Sequence, residues 1–249
     1  MRVIFHETFY QVYTSDPAAA AGRMEAVMAV IGNGPGIEMV RAAPASKTDI
    51  RLAHSQAQIA RVERQGLYDI AALAVGGAIQ AATLGLDTPA FGLIRPPGHH
   101  ASADSSWGFC YFNNMAIALE RLRSDGRIKS AYVLDIDLHF GDGTVNILKG
   151  KEYVTIHNCA AGNREAYMDE VAEEMDACTA DIIGISAGFD NHVDDWGGTL
   201  ATEDYEEIGK MVRAAAMRSG GGCFGILEGG YNHQVLGNNV SALLQGLSA

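Results

Sequence analysis

Two hydrophobic patterns alternate along this chain. Short apolar runs, typical of buried strands, are separated by longer segments with apolar residues at helical spacing. The runs predict strands at residues 3–5, 39–42, 91–94, 131–139, 154–157, 182–187 and 224–227. Helices are predicted at residues 17–31, in one or two pieces within 49–65, at 68–84, 115–122 and 165–178, after a cap at Thr202, and at 235–247, with the glycines and proline of 32–36 ending the first. This alternation, with few hairpin signals, predicts an α/β fold: one domain over residues 1–249, with a parallel sheet and helices on both faces.

The stretch 131–142 carries the most unusual polar pattern. An apolar run begins it, and then Asp135, Asp137 and His139 occupy every second position before Gly141. Side chains alternate faces along a strand, so we expect these three to point the same way. Two carboxylates and an imidazole at the end of a buried strand suit a divalent metal. The alternative is a polar strand edge that faces solvent.

Polar side chains also follow the predicted strands before and after this one. His99 and His100 come after the strand at 91–94, Asp190 after the strand at 182–187, and Tyr231 after the strand at 224–227. Ligands of open parallel sheets bind beyond the carboxyl ends of the strands. We therefore expect these residues to meet Asp137 and His139 there. Taken singly, the histidines are also compatible with a surface turn, Asp190 with a helix cap and Tyr231 with an exposed aromatic.

The residue types point to metal-assisted hydrolysis. Asp137, His139 and Asp190 supply the three ligands of a catalytic zinc site, which keeps one position open for water. His99 and His100 are the candidates for proton transfer, with Asp135 and Asp142 placed to orient one imidazole each. Tyr231, after Gly229 and Gly230, is the candidate donor to an oxyanion. Four other histidines are interpreted as ordinary polar or structural positions: His54, His157, His192 and His233.

Composition excludes several classes of function. The formal net charge of −12 argues against a nucleic-acid partner, which usually needs a basic face. The four cysteines form no CxxC pair and are expected as buried thiols of a reducing compartment. No apolar stretch approaches the length of a membrane span, and the first residues are too short an apolar run for a signal peptide. We expect a cytoplasmic protein without a membrane partner.

Five motifs resemble the signature blocks of the histone deacetylase superfamily, which includes acetylpolyamine amidohydrolases and acetoin utilisation proteins. They occur in the family's order, and the last two are similar to the class II and bacterial branch. The motifs are Arg95-Pro-Pro-Gly-His-His-Ala101, Gly108-Phe-Cys-Tyr-Phe-Asn-Asn114, Asp135-Ile-Asp-Leu-His-Phe-Gly-Asp142, Ser186-Ala-Gly-Phe-Asp190 and Leu227-Glu-Gly-Gly-Tyr231.

The resemblance implies the arginase-deacetylase fold and a zinc-dependent amidohydrolase. Asp137, His139 and Asp190 match the family's metal ligands. His100 matches the general base and acid with Asp142 behind it, His99 its electrostatic companion with Asp135 behind it, and Tyr231 the oxyanion donor. The substrate-binding positions implied are Gly108, Phe109, Gly229 and Gly230. A structural K⁺ site is implied at Asp135, with the backbone carbonyls of Asp137 and His139 and with Thr155 as a further candidate.

The chain also departs from the family pattern. Phe140 replaces a second histidine that is not a ligand, and Asp16-Pro17 replaces His-Pro, with Arg23 placed to match the arginine that follows. Two segments are shorter than in the family: the one between His54 and Tyr68 lacks a loop that in many relatives carries a substrate-gripping aspartate, and the one after His157 lacks the loop that forms the opposite wall of the tunnel. We expect an active site that is wider and shallower than in relatives, or one that a partner subunit completes.

Three functions remain open at this point. The first is removal of an acetyl or other acyl group from an N-acetylated amine, either a small molecule such as acetylpolyamine or a peptidyl acetyl-lysine. The second is an arginase-like ureohydrolase with two manganese ions, for which the next acids are Asp194 and Asp195. The third is a non-catalytic binding protein on the same fold. An Asp-His-Asp site accepts Zn²⁺ or Fe²⁺, and the shortened loops with the Ala/Gly-rich composition favour a homo-oligomer.

Overall fold

A seven-stranded parallel sheet forms the centre of the protein. The computed structural model describes residues 1–32, 34 and 36–249. The strands are β1 (Arg2–Phe5), β2 (Glu38–Arg41), β3 (Ala90–Gly92), β4 (Ala131–Asp135), β5 (Val154–Asn158), β6 (Ile182–Ala187) and β7 (Gly222–Leu227). They lie in the order β2-β1-β3-β7-β6-β4-β5, and every neighbouring pair is parallel. This confirms the parallel α/β architecture that the alternating pattern predicts.

Nine α-helices connect or flank these strands in the described part of the chain. They are α1 (Arg23–Ile31), α2 (Lys47–Ile50), α3 (Gln56–Arg64), α4 (Tyr68–Gly85), α5 (Asn114–Ser124), α6 (Asp142–Leu148), α7 (Arg164–Ala177), α8 (Thr202–Ser219) and α9 (His233–Leu247). Two 3₁₀ helices, Glu7–Tyr10 and Pro17–Ala19, precede α1. Over these residues no helix has the combined length and hydrophobicity that a bilayer crossing requires.

The helices cover both faces of the sheet, which explains the continuous apolar runs. Helix α4 packs on β1, β3 and β7 and against α5, while α1, α7, α8 and α9 pack on one another and α8 contacts β6 and β7. Every residue of β4, β6 and β7 is buried. Strands buried on both faces lose the polar alternation that marks a half-exposed strand. Helix α4 is apolar nearly all round because it too is enclosed.

Several predicted boundaries differ from the structure. The Asp16 carboxylate accepts from the Ala19 N–H and so caps a 3₁₀ turn, and α1 begins after Gly22, whose φ is 85°. The predicted end of the first helix at 32–36 includes residues 33 and 35, which lie outside the described residues. Thr202 is the first residue of α8 and not its cap. The Asp204 carboxylate accepts from the Ala201 N–H instead.

Candidate active site

The carboxyl ends of four neighbouring strands bring the polar residues together. Strands β3, β7, β6 and β4 are adjacent and parallel, so the segments that follow them leave the sheet at one edge. These segments carry His99 and His100, Tyr231, Asp190, and Asp137 with His139. As expected, the structure brings these residues together beyond the edge of the sheet.

The predicted strand over residues 131–139 is wrong in its second half. The strand ends at Asp135, and residues 136–141 form neither strand nor helix. Asp135 Oδ1 accepts from the Asp137 N–H at 3.1 Å, and Asp137 Oδ1 accepts from the His139 N–H at 3.0 Å. Short carboxylate side chains that bind the backbone two residues onward make turns of this kind. Local hydrogen bonds, and not the pleat of a strand, therefore set the directions of these side chains.

Asp137, His139 and Asp190 form a group with the spacing of metal ligands. One ligand atom from each lies within 4.8 Å of the others, and among the described residues this is the one such group of acids, histidines and cysteines. His139 Nδ1 is 3.3 Å from Asp137 Oδ1 and 3.2 Å from Asp190 Oδ2. Both carboxylates are buried, and Asp190 Oδ2 faces the imidazole of His139. Two buried carboxylates around one imidazole need a positive charge nearby, so these residues fit a divalent cation.

The electrostatics of the group favour one positive charge between the carboxylates. Burial and the neighbouring charge of Asp137 together raise the pKa of Asp190 to about 6. Burial also opposes ionisation of Asp137, but the charge of His99 and the hydrogen bonds from His139 and Gly229 together outweigh it and hold the Asp137 pKa below its usual range. Hydrogen bonding to the two carboxylates raises the pKa of His139 to about 10. A bound cation would replace the proton on His139.

Gly229, two residues after β7, allows the backbone to approach both carboxylates closely. Its N–H donates to Asp137 Oδ2 at 2.8 Å. A Cβ at this position would lie 2.6 Å from Asp137 Oδ2 and 2.8 Å from Asp190 Oδ2, both closer than ordinary contact. Only glycine therefore leaves these two ligands where they are.

His99 forms a buried pair with Asp135. Its Nδ1 lies 3.1 Å from Asp135 Oδ2, and its Nε2 is 3.8 Å from Asp137 Oδ1. Burial disfavours a charged imidazole, but Asp137 and Asp135 outweigh burial and hold the His99 pKa well above its ordinary value. These two carboxylates therefore favour the protonated form of His99.

His100 forms a second pair with Asp142, at the start of α6. His100 Nδ1 and Asp142 Oδ1 are 2.8 Å apart, and the indole N–H of Trp107 donates to Asp142 Oδ2 at 2.9 Å. The Trp107 ring also stacks on His100, with centroids 3.9 Å apart. Burial lowers the His100 pKa to about 4, helped by the positive charge of His99. The pKa values of the two adjacent histidines are thus shifted in opposite directions, upward for His99 and downward for His100.

Gly108 and Phe109 follow Trp107 in a backbone conformation that L side chains rarely adopt. Their φ angles are 57° and 68°. A Cβ on Gly108 would overlap the imidazole of His100, so this backbone lies directly against the ring. Strained non-glycine residues are tolerated mainly at functional sites, where the surrounding structure holds them. The Phe109 ring meets Tyr231 edge-on, with centroids 5.9 Å apart.

Arg23 and Asp195 hold the turn that carries Tyr231. Arg23 is fully buried, and its guanidinium donates to the carbonyls of Glu228 at 2.6 Å and Gly230 at 2.8 Å. Asp195 Oδ2 accepts from the Tyr231 N–H at 2.7 Å. Burial, and then the charge of Asp137, raise the pKa of Tyr231 far above its usual range, so its hydroxyl stays protonated.

Sequence reasoning missed three residues of this site. Glu228 is fully buried, and its Oε2 accepts from the N–H groups of Gly98 at 2.6 Å and His99 at 3.2 Å. Burial raises the pKa of Glu228 to about 7. Trp107 and Trp196 lie at the opening. The available signal was position alone: Glu228 directly follows an apolar strand, and both tryptophans fall in loops between the motifs.

Thr155 and the histidines interpreted as structural lie outside the metal-ligand group. Thr155 is exposed and in register with Tyr132, three residues before Asp135, so the structure does not bring it to the expected K⁺ site. Asn158 is the β5 residue beside Asp135. The histidines interpreted as structural form ordinary contacts: His54 Nε2 accepts from the Asn113 N–H, and His157 Nε2 lies 2.8 Å from Glu170 Oε1.

Comparisons with known proteins place these residues in a family. The family model of the histone deacetylase domain matches residues 18–167 and 159–247. A probable deacetylase of Methanothermobacter thermautotrophicus is 29% identical, over 98% of this chain and 90% of its own length. A probable deacetylase of Archaeoglobus fulgidus is 36% identical, over 67% of this chain and 57% of its own length. The acetylpolyamine amidohydrolase of Mycoplana ramosa is 29% identical, over 74% of this chain and 64% of its own length. The chain thus spans less than two thirds of the last two relatives.

A solved structure gives the same picture of the fold. The crystal structure of the HD domain of HDA15 superposes with a TM-score of 0.86, covering 99% of this chain and 89% of that chain at 23% identity. This confirms the fold implied by the five motifs. The family model covers both the histidine pair and the segment that ends in Tyr231. From the match of this model and the architecture together, the chain belongs to the histone deacetylase family.

Proposed function

We propose that this protein is a metal-dependent amidohydrolase that removes an acetyl group from an N-acetylated amine, such as acetyl-lysine or an acetylpolyamine. The observation that carries the proposal is the pair of His–Asp contacts, His99 with Asp135 and His100 with Asp142, beside a three-residue metal-ligand group. The deacetylases and the acetylpolyamine amidohydrolase among its relatives support the same class of substrate. The amide C–N bond breaks, water supplies the new C–O bond, and acetate and the free amine are the products.

Asp137, His139 and Asp190 are the residues that would hold the metal. Three protein ligands with an open side are the arrangement of catalytic zinc sites. A Zn²⁺ ion, or Fe²⁺, bound there would polarise the acetyl carbonyl and increase the acidity of the attacking water. The oxygen-rich ligand set suits either ion.

His100 is the group we assign to proton transfer. Its low pKa leaves it neutral at physiological pH, as a base for the attacking water must be. Asp142 holds Nδ1, which leaves Nε2 to accept the proton and later to deliver it to the leaving amine. His99, held by Asp135, keeps a positive charge that lowers the His100 pKa and favours the negative charge that develops on the substrate.

Tyr231 and the neighbouring backbone complete the assignment. The protonated Tyr231 hydroxyl donates to the oxyanion that forms from the acetyl carbonyl. The Gly108 carbonyl is assigned to accept the substrate N–H. Phe109, Gly229 and Gly230 are assigned to line the acetyl group.

The two alternative functions have less support. A two-manganese ureohydrolase needs further acids at the metal group, but Asp195 is committed to the backbone: Oδ2 accepts from Tyr231 and Asn232, and Oδ1 from Trp196. A non-catalytic binding protein does not require two oriented His–Asp pairs and a held tyrosine.

The test is acetate release from acetyl-lysine peptide, acetylputrescine and acetylspermidine by the metal-loaded protein. We expect turnover of at least one of them and a decrease of about 10²- to 10³-fold in kcat for Tyr231→Phe, with metal content unchanged. Tyr10→Phe, in the 3₁₀ helix after β1, is the matched control and should keep full activity. Metal binding without any acetate release would favour the binding protein and overturn the proposal.

A further inference from the structure

The chain contains two tryptophans, and both lie at the opening of the candidate active site. Trp107 precedes Gly108 and Phe109, and Trp196 lies in the loop between Asp190 and α8. Their side chains are 55% and 53% exposed, respectively. An exposed indole is unusual enough to need a reason when it sits beside catalytic groups.

Each indole is fixed by contact with a proposed catalytic side chain. Trp107 stacks on His100 with centroids 3.9 Å apart and an interplanar angle of 28°. Trp196 stacks on Tyr231 with centroids 4.1 Å apart and an angle of 29°, and it meets His139 edge-on at 6.0 Å. One face of each ring is thus occupied by a catalytic residue, while more than half of each side chain remains accessible. A group lying on the open face would be one ring away from the reacting centre.

The surroundings of the two indoles are apolar. Nine large hydrophobic side chains are exposed over the described residues, and five of them belong to the loops that carry the candidate ligands and histidines. We call these five residues the apolar rim: Trp107, Leu138, Phe140, Val193 and Trp196. Over half of the exposed large hydrophobic side chains thus lie in the loops that form the site, and the two indoles contact its side chains directly, so we interpret this part of the surface as a binding surface.

The carboxylates that contact the indole residues are already committed. Asp142 uses Oδ1 for His100 and Oδ2 for Trp107. Asp195 uses Oδ1 for the Trp196 N–H and Oδ2 for the Tyr231 N–H. Each of these carboxylate oxygens thus already accepts a hydrogen bond from the protein. The five rim side chains themselves are uncharged and offer hydrophobic area.

We propose that the apolar rim is a specificity site for the amine side of the substrate, and that it selects acetyl amides whose amine carries a neutral alkyl or aryl group. This inference rests on the proposed function and narrows its substrate class. Flat indole faces and aliphatic neighbours gain by removing such groups from water. A substrate is the favoured occupant because anything lying across both indoles also covers the metal-ligand group between the catalytic histidine and tyrosine.

The test compares two amides of equal length, N-acetylheptylamine and N-acetyl-hexamethylenediamine, which carry a terminal methyl group and a terminal ammonium group, respectively. N-Acetylphenethylamine is the aryl probe. Because both tryptophans lie in the rim, intrinsic fluorescence reports binding without requiring turnover. The titrations use metal-loaded Tyr231→Phe protein, in which hydrolysis is slow, and KM and kcat are measured on the wild type.

We expect the neutral amide to bind about tenfold or more tightly than the cationic one, with the difference in KM rather than kcat. Trp196→Ala should remove most of that preference, and Trp196→Phe should retain part of it. Met217→Ala, an exposed hydrophobic side chain on α8, is the matched control and should leave the preference unchanged. Trp107→Phe should shift the fluorescence signal to Trp196 alone and keep the preference.

Three results separate the claims. Equal or tighter binding of the cationic amide overturns the apolar specificity, since indoles also bind cations. A preference for the neutral amide that survives Trp196→Ala in folded protein overturns the role of the rim. A preference seen by fluorescence with no acetate released from any amide contradicts the proposed function and leaves the apolar site supported.

Discussion

Replacing Gly229 by alanine tests whether Asp137 and Asp190 act as one ligand group. The φ angle of Gly229 is not positive, so its backbone conformation does not require glycine. The added methyl group would therefore act only through the atoms that it contacts. That methyl group would point at the two carboxylates from the end of β7. The backbone N–H of residue 229, which donates to Asp137, would move with it.

The structure gives the size of the disturbance. The added Cβ would lie 2.6 Å from Asp137 Oδ2 and 2.8 Å from Asp190 Oδ2, whereas ordinary contact begins near 3.4 Å. The two oxygens must therefore move by about 0.6 to 0.8 Å. Metal–ligand distances tolerate about 0.2 Å. We expect the affinity for Zn²⁺ to fall by about 10²-fold, or about 2.7 kcal/mol.

The assay is competition for Zn²⁺ with a chelator of known affinity, together with thermal unfolding of the metal-free protein. Gly162→Ala is the matched control, because a Cβ there meets nothing within 4 Å. It should keep wild-type metal affinity and change stability by less than about 1 kcal/mol. Wild-type affinity in folded Gly229→Ala protein would refute the assignment of these two carboxylates as joint ligands.

Three further predictions follow from the same contacts. Zn²⁺ affinity should rise about tenfold per pH unit between about pH 7 and 9, because the metal must displace a proton from His139, whose pKa is raised to about 10; calorimetry across that range should show the slope, and a flat profile would contradict it. Asp142→Asn should lower kcat/KM by about 10²-fold or more, since His100 loses the carboxylate that orients it; steady-state kinetics measure this, and unchanged kinetics would remove the pair from the mechanism. Ser55→Ala should lower the free energy of unfolding by about 1 kcal/mol by removing the side-chain acceptor for the Gln58 N–H at the start of α3; urea denaturation measures this, and a neutral effect would show that the cap contributes nothing.

The sequence was sufficient to predict the architecture and the position of the site. Continuous apolar runs identify strands buried on both faces, and polar residues directly after them identify the edge where ligands bind. Asp190 and Tyr231 were predictable on this basis because each follows a fully buried strand. Both patterns can be recognised in the sequence because they depend only on the spacing of neighbouring residues.

Features that depend on tertiary contacts were not predictable. Strand β4 ends at Asp135 because the Asp135 carboxylate binds the Asp137 N–H, and period-two alternation cannot show that bond. Helix α6 begins among glycines that read as a loop. Thr155 was expected beside Asp135, but the register of β5 places Asn158 there, and register is fixed by packing rather than composition.

The positions of the two tryptophans also depend on tertiary contacts. Trp107 and Trp196 are 89 residues apart in the chain by their numbers, and nothing in their local sequences relates one to the other. Stacking on His100 and Tyr231 brings both to the site. The single domain, the K⁺ site, the self-association and the cytoplasmic location stay predictions.

We propose that one metal ion, held by Asp137, His139 and Asp190, is required to hydrolyse N-acetyl amides. The most direct measurement is acetate release during Zn²⁺ titration of chelator-treated protein, with bound metal measured in the same samples. We expect activity to rise in proportion to bound metal and to stop rising at one ion per chain. Acetate release by metal-free protein, or activity that appears only with a second ion, would contradict it.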